Sequence, residues 1–431
     1  MSFVFGFLSS LILFQPVTTQ SVADVVSESR LSERLSELGQ YGALSDGGVT
    51  RQAFSDEDVA ARDYIRSLMQ QSGLSVRLDA AANLIGRRPG TSEGLPAIAL
   101  GSHIDTVPEA GLYDGPVGVI GALEVIEVMN ALNLETRHPI EVIVFTDEEG
   151  SMVGSRAMGG KVDAGILETR VQSGFTVKEG LMRLGGTAEA LSSAALSPNQ
   201  TKAFLELHVE QGGVLENAGA TIGIVEGIVG IRWWDVTVQG VANHAGTTPM
   251  KGRRDALVAA SRFVLAVQAA ALDTPGRQVA TVGRIRAEPG APNVIPGKVT
   301  MSLEIRDLDE AKIGAIFKDL QKAAAHIEEE TETTFEFSPI DADTRAAFTD
   351  RKVREFLETV ARGLSVDYLS MPSGAGHDSQ NLADRVPIGM IFIPSRGGIS
   401  HSPNEFSKTS DIKTGVTMLA ESVLLLDRED W

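Results

Sequence analysis

The chain has 431 residues, 43% of them hydrophobic and 22% charged, enough to bury the cores of two or three soluble domains. A formal net charge of −19 excludes a surface built for nucleic acid or for an anionic membrane, yet local arginines can still bind an anionic small molecule. The chain has no cysteine. Disulfides, thiolate metal sites and cysteine nucleophiles are therefore excluded together, and any metal site must draw on His, Asp and Glu. The same lack fits a reducing cytoplasm, the location expected here.

Residues 3–14, F-V-F-G-F-L-S-S-L-I-L-F, form an apolar run of signal-peptide length. No Lys or Arg precedes it, no small-x-small cleavage site follows, and it is too short to span a bilayer. An export signal and an N-terminal extension over residues 1–20 both remain open. No stable membrane association is expected.

Apolar residues recur every three or four positions over residues 23–38, predicting a helix. A second helix starts after Ser55, with acids in its first turn, and stops at Gly73. A strand and turn follow over residues 82–90. Residues 96–105, P-A-I-A-L-G-S-H-I-D, read as a buried strand whose C-terminal end is His103. A helix over residues 117–132 and a buried strand leading into D-E-E-G (147–150) come next. After helices and loops over residues 156–198, A-F-L-E-L-H-V-E-Q-G (203–212) is again a strand ending in polar residues. Helices alternating with apolar strands predict an α/β unit with a mixed, largely parallel sheet.

From about Asn217 the pattern changes. R-W-W-D-V-T-V-Q-G (232–240) alternates as a half-buried strand does. A helix (254–272), two strands (279–287 and 298–306), a helix (309–329) and a strand (333–337) follow. That β-α-β-β-α-β order predicts a small ferredoxin-like α+β unit inserted into the first. The expected divisions are therefore 21–216 and 340–431 for the α/β unit, with 217–339 between them. The last segment returns to apolar strand, V-P-I-G-M-I-F-I-P-S, and a closing helix.

In α/β sheets, ligands bind beyond the carboxyl ends of the strands. Those ends, or the turns just past them, carry His103 and Asp105, Asp114, Glu148 and Glu149, His208 and His401. His103 and Asp105 lie two apart on an extended chain, so both side chains share a face. Asp105 can then accept from one imidazole nitrogen while the other binds metal. Each feature alone is unremarkable: an acidic pair is usually solvated, and a lone strand-end histidine is usually structural. Together, three of seven histidines at strand ends, accompanied by carboxylates, form a thiolate-free set that suits Zn²⁺, Mn²⁺, Co²⁺ or Ni²⁺. Two such clusters sharing one carboxylate can hold two ions roughly 3.5 Å apart, activating water and polarising a carbonyl. A remaining carboxylate would move the proton.

The motifs G-S-H-I-D-T-V-P-E-A-G-L-Y-D-G-P-V-G-V, F-T-D-E-E-G-S, L-E-L-H-V-E-Q-G, A-N-H-A-G-T-T-P-M-K-G-R-R-D-A-L, N-V-I-P-G, S-G-A-G-H-D and I-S-H-S-P-N-E resemble, in order, the amidase branch of the M20 metallopeptidase family. That branch holds N-carbamoyl-L-amino-acid hydrolases, allantoate amidohydrolases and β-ureidopropionases. The resemblance implies that Asp114 bridges two divalent ions, with His103 and His208 completing one site and Glu149 and His401 the other. A histidine at position 208, where peptidase relatives carry an acid, points to the amidase branch. It further implies Glu148 as general base, Asp105 as the residue orienting His103, and Gln211, Asn293 and Arg306 as substrate ligands. The backbone of Gly374, Ala375 and Gly376 is a further expected contact, and Arg232 a weaker candidate. His377 reads as structural. The inserted unit becomes a dimerisation domain and lid. The implied reaction is hydrolysis of the ureido C–N bond of an N-carbamoyl-L-amino acid, with allantoate or 3-ureidopropionate as alternatives and a non-catalytic metal-binding homologue as the rival from another class. Ala110, Gly213 and Ile231 stand where the family commonly has glycine, proline and glutamine, which bears on loop shape and substrate rather than on the ligands.

His244, in V-A-N-H-A-G-T-T-P-M, has two readings. By itself it is a buried, hydrogen-bonded histidine at a turn. By the resemblance it donates to a developing oxyanion, in the active site of a partner subunit.

Overall fold

The computed structural model describes residues 20–45, 47–340 and 344–430, so the apolar run at residues 3–14 lies outside the described residues. Strands β1 (Ser75–Leu78), β2 (Leu84–Arg88), β3 (Ala97–Ser102), β4 (Ile140–Val144), β5 (Thr201–Val209) and β6 (Ile222–Ile228) come first. Then follow β7 (Gly230–Gln239), β8 (Asn243–His244), β9 (Val279–Thr281), β10 (Ile285–Glu288), β11 (Val294–Ile295), β12 (Lys298–Asp307) and β13 (Thr334–Pro339), and finally β14 (Ala347–Phe348), β15 (Tyr368–Ser373) and β16 (Ile388–Ile393).

A nine-stranded mixed sheet runs β1-β2-β4-β3-β5-β16-β6-β14, with β15 also pairing β6. Its centre, β4-β3-β5-β16, is parallel throughout. All four of these strands therefore end at the same edge of the sheet. They are apolar on both faces because helices cover both faces: every residue of β3, β4 and β16 is buried. The helix Pro116–Ala131 and the closing helix Thr409–Arg428 supply much of that cover. The flanks make the sheet mixed, as expected. β2 is antiparallel to β1 and β4, and β6 is antiparallel to β16 and β14.

Three expectations need correction. The helix expected over residues 23–38 is two helices, Val22–Val25 and Glu28–Leu38. The break is at Ser27, whose hydroxyl caps Arg30 N–H while its own N–H donates to Glu124. The boundary at residue 217 is also misplaced, because β6 belongs to the large sheet and the chain enters the second sheet only at Gly230.

That second sheet is antiparallel, in the order β10-β12-β7-β13 with β9 also on β12. The strand expected over residues 279–287 is thus two, β9 and β10. Along β12, Val299, Met301, Leu303 and Ile305 are fully buried under the helices Ala256–Asp273 and Glu310–Thr331, and the alternate residues form the open face. This period of two is what a sheet covered on one side requires. Asp255 and Asp309 cap the two helices. Among the described residues, Ala256–Asp273 is the one helix long and apolar enough to cross a membrane. One face of it, with Ala259, Phe263 and Val267, is instead buried in this unit's core.

Candidate metal centre

The parallel centre of the large sheet delivers its residues to one edge. His103 directly follows β3, Glu148 and Glu149 stand on the loop after β4, His208 is the penultimate residue of β5, and His401 lies on the loop after β16. Asp114 sits on the turn before helix Pro116–Ala131. Gly115, at φ 80°, ends that turn, and a Cβ there would fall 2.4 Å from the His103 ring. Only glycine lets the turn pass this close.

The two oxygens of Asp114 face different partners. Oδ1 lies 3.3 Å from His208 Nε2 and 3.9 Å from His103 Nε2. Oδ2 lies 3.2 Å from His401 Nε2, which is itself 3.4 Å from Glu149 Oε1. The two triads that result, His103–Asp114–His208 and Asp114–Glu149–His401, each keep their donor atoms within 4.8 Å of one another. The tautomers suit metal ligation. His103 Nδ1 donates to the Asp105 carbonyl at 3.0 Å and His208 Nδ1 to the Val209 carbonyl at 2.9 Å, leaving both Nε2 atoms toward Asp114. His208 Nε2 is buried with no hydrogen-bond partner. An orphaned buried nitrogen is costly, and a divalent cation would satisfy it, so the residues fit a metal. A third grouping, Glu206–His208–His377, is already engaged. Glu206 accepts from Ser102 and Ser379, and His377 Nε2 pairs with Ser373 Oγ at 2.8 Å.

Asp105 orients His103 through its main chain, not its carboxylate. Asp105 Oδ1 is 3.8 Å from His103 Nδ1, and the carboxylate instead accepts from the N–H groups of Glu148 and Glu149 at 3.3 and 3.1 Å. It therefore holds the D-E-E-G loop. Glu148 lies 3.6 Å from His103 Nε2. Burial, with the neighbouring Glu149, Asp378, Asp105 and Asp114, pushes its carboxyl well above the usual range. Burial also works against the charge on Asp114, but a hydrogen bond from His401 and the charges of His208 and His103 hold its carboxyl below the usual range.

Gln211 donates to Asp114 Oδ2 at 2.6 Å. Arg306, on the open face of β12, gives Nε and Nη2 to Glu304 at 2.7 and 3.0 Å and Nη1 to the Gly374 carbonyl at 2.7 Å. Its neighbour Asp307, on the other face, pairs with Lys312. The Gly374 loop is closed by Ser373 Oγ, which bonds the N–H and carbonyl of Ala375. Beyond it the His377 ring packs 4.5 Å from His208, centroid to centroid. Arg232 pairs with Glu310 at 2.8 Å.

His244 is exposed, not buried. It forms a two-stranded ribbon with Val294, beside Asn293, whose carbonyl accepts from Ala245 N–H. Its Nδ1 accepts from the N–H groups of Gly246 and Thr247 at 3.0 and 3.1 Å. The neutral ring therefore carries its proton on Nε2, directed away from the turn. Among the described residues, neither His244 nor Asn293 bonds to the metal-centre residues. Three residues with a part here were not singled out from sequence. Arg253 staples the 245–249 turn through the carbonyls of Ala245, Thr248 and Pro249. Ser400 and Glu405 flank His401. All three lie inside the quoted motifs, but nothing local marks them as more than surface polar residues.

Such a donor set, at the parallel edge of a mixed sheet, defines a metal-dependent hydrolase. Residues 99–425 match Peptidase family M20/M25/M40, and the chain belongs to this family. It is 40% identical to an N-carbamoyl-L-amino acid amidohydrolase of Geobacillus stearothermophilus, covering 93% of this chain and 98% of that one. It is 34% identical to an allantoate amidohydrolase of Bacillus subtilis, covering 91% and 96%. A solved hydantoinase/carbamoylase family amidase from Burkholderia multivorans superposes with a TM-score of 0.88 at 34% identity, over 94% of this chain and 99% of that chain. The protein is thus an amidohydrolase, acting on carbon–nitrogen bonds other than peptide bonds.

Proposed function

We propose that this enzyme is a dinuclear amidohydrolase that converts N-carbamoyl-L-amino acids and water to the amino acid, carbon dioxide and ammonia. The observation that carries the reading is Asp114, whose two oxygens divide between His103 with His208 and His401 with Glu149. Divalent ions there would polarise the ureido carbonyl and acidify a water. Glu148, 3.6 Å from His103 Nε2, takes the proton of the attacking water and returns it to the leaving nitrogen as the C–N bond breaks. Arg306, reaching Gly374 across the open face of β12, is suited to a substrate carboxylate through its planar fork. Asn293, Gln211 and the backbone of Gly374 and Ala375 complete the substrate contacts, and Arg232, spent on Glu310, is the weakest member.

In the same reading, the 230–339 unit is a ferredoxin-like dimerisation domain and lid. Its helix Ala256–Asp273 and adjoining strands leave Val258, Leu265, Leu272, Val279 and Ile285 about half or more exposed, an apolar surface suited to a second copy. His244 Nε2–H then serves the developing oxyanion in the partner's site.

The test is ammonia release from N-carbamoyl-methionine, allantoate and 3-ureidopropionate by metal-loaded and chelator-stripped enzyme. The carbamoyl amino acid is expected to turn over fastest and stripping to abolish turnover. Preference for allantoate would move the assignment to the second reading, favoured by the relative that bears that name. Unchanged turnover after stripping would sink the metal centre.

A further inference from the structure

We infer that Glu405, acting with Ser400, is a positioning residue that holds the His401–Glu149 side of the metal centre against Asp114. This rests on the dinuclear reading above.

His103 and His208 belong to strand β5 or the immediate end of β3, in the middle of the sheet, and their side chains are almost completely buried. His401 is secured differently. It stands on the loop between β16 and the closing helix, its side chain is 47% exposed, and its φ is 52°, an uncommon backbone for a non-glycine residue. Something must fix that loop to the Asp114 turn if His401 and Asp114 are to serve one ion.

Glu405 does this from four residues away. The Glu405 carboxylate is buried between the loop and the turn. Its Oε2 accepts from Tyr113 N–H at 3.0 Å and from Asp114 N–H at 3.2 Å. Its Oε1 lies 2.7 Å from Ser400 Oγ, which is also 2.8 Å from Asp114 Oδ2. Glu405 and Ser400 thus reach the main chain and the side chain of Asp114 from either side of His401. The space they use is kept open by Gly111, where a Cβ would fall 2.3 Å from the Glu405 side chain. Tyr113 and Phe406, ring edge to face at 5.8 Å, close the same seam.

Removing this carboxylate leaves the N–H groups of Tyr113 and Asp114 unpaired and frees the His401 loop, while the strand ends that carry His103 and His208, and their own Nδ1 bonds, stay in place. The expected defect is therefore asymmetric. Partners that orient metal ligands typically govern affinity by about 10–100-fold. Zn²⁺ titration calorimetry and metal analysis after dialysis, on the full-length wild type, Glu405→Ala, Glu405→Gln and Ser400→Ala, read it directly. Wild type should hold two ions. Glu405→Ala should keep the first and bind the second about 10–100-fold more weakly. Glu405→Gln should recover the second, since its amide oxygen can accept both N–H groups and its nitrogen can donate to Ser400. Ser400→Ala should weaken the same ion by a smaller factor. The visible spectrum of the Co²⁺-loaded proteins should change only in the second-site bands. Two tight ions in a folded Glu405→Ala protein would overturn the inference, as would equal weakening of both ions. If Glu405→Ala does not fold, unaltered second-site affinity in Ser400→Ala overturns it instead. A wild type that binds fewer than two ions defeats the dinuclear reading itself, which is a separate result.

Discussion

The metal centre and the His244 ribbon are built in opposite ways. Around Asp114 the side chains are mostly buried, come from four adjacent parallel strands and a turn, and have their tautomers set within one chain. The ribbon is two residues long in each strand, its β8 side is exposed, and the turn that carries His244 is shaped by local bonds. Its histidine presents Nε2–H with no catalytic neighbour among the described residues of its own chain. If His244 is the proposed oxyanion donor, it would have to meet the centre by a movement of the second unit or by delivery from another copy.

The sharpest way to separate the two regions is to disable one residue in each. Glu148→Gln should fold, retain metal and lose about 10²–10⁴ in kcat, the usual worth of a general base. His244→Ala should lose about 10²–10³, the usual cost of one oxyanion donor, with metal content unchanged. Mixed dimers of these two variants then decide where His244 acts. In delivery between subunits, one site of the heterodimer regains both a wild-type base and a wild-type histidine, so about half the wild-type activity returns. Confirmed heterodimers without recovery would assign the histidine to its own subunit's site or remove it from catalysis.

A smaller effect probes how the ribbon keeps its shape. Arg253 donates to three carbonyls of the 245–249 turn. Arg253→Ala should lower kcat/KM about tenfold, the rate equivalent of one charge-assisted hydrogen bond, and leave metal content and melting temperature nearly as in wild type. A large fall in melting temperature would show that the arginine supports the fold of the second unit rather than the aim of His244.

How well each region could be read from sequence follows the same division. The central strands announce themselves as continuous apolar runs with polar residues at one end, and the parallel order forced by alternating helices brings those ends together. His103, Glu148, Glu149, His208 and His401 were candidates for that reason, while the choice of ligands among them, and Asp114 as the shared one, came from the family resemblance. Relations across the fold were not. That β6 belongs to the large sheet depends on its pairing with β16, which no local pattern encodes. The carboxylate of Asp105 turns to the Glu148–Glu149 N–H groups instead of His103, and spacing alone fixes the face but not the partner. Glu405 is separated from Asp114 by 291 positions. The exposure of His244 followed from the ribbon pairing of β8 with β11, each only two residues long.

The mildest prediction concerns the charges that the buried region collects. Burial alone would keep His103 neutral, yet the carboxylates of Asp105, Glu149 and Asp114 raise it to about 9. His401, hydrogen-bonded to Asp114 and Glu149, is raised to about 10. Both start from 6.5. A histidine whose folded pKa is raised contributes stability that is complete below its unfolded value and is lost as pH climbs through the folded one. The metal-free protein should therefore lose melting temperature steadily between about pH 6.5 and 10. The raised carboxyl of Glu148 acts in the same direction, because the unfolded chain ionises it more readily. Metal requires neutral imidazole, so binding displaces these protons and should make the stability curve flatter over the same range. Scanning calorimetry with chelator and with Zn²⁺, from pH 6 to 10, measures both curves. Proton release, from binding heats in two buffers of different ionisation enthalpy, gives an independent count. A metal-free protein whose melting temperature does not change with pH would mean that the imidazoles are not held against the carboxylates in solution, and the contrast between a prebuilt centre and an unfinished ribbon would weaken accordingly.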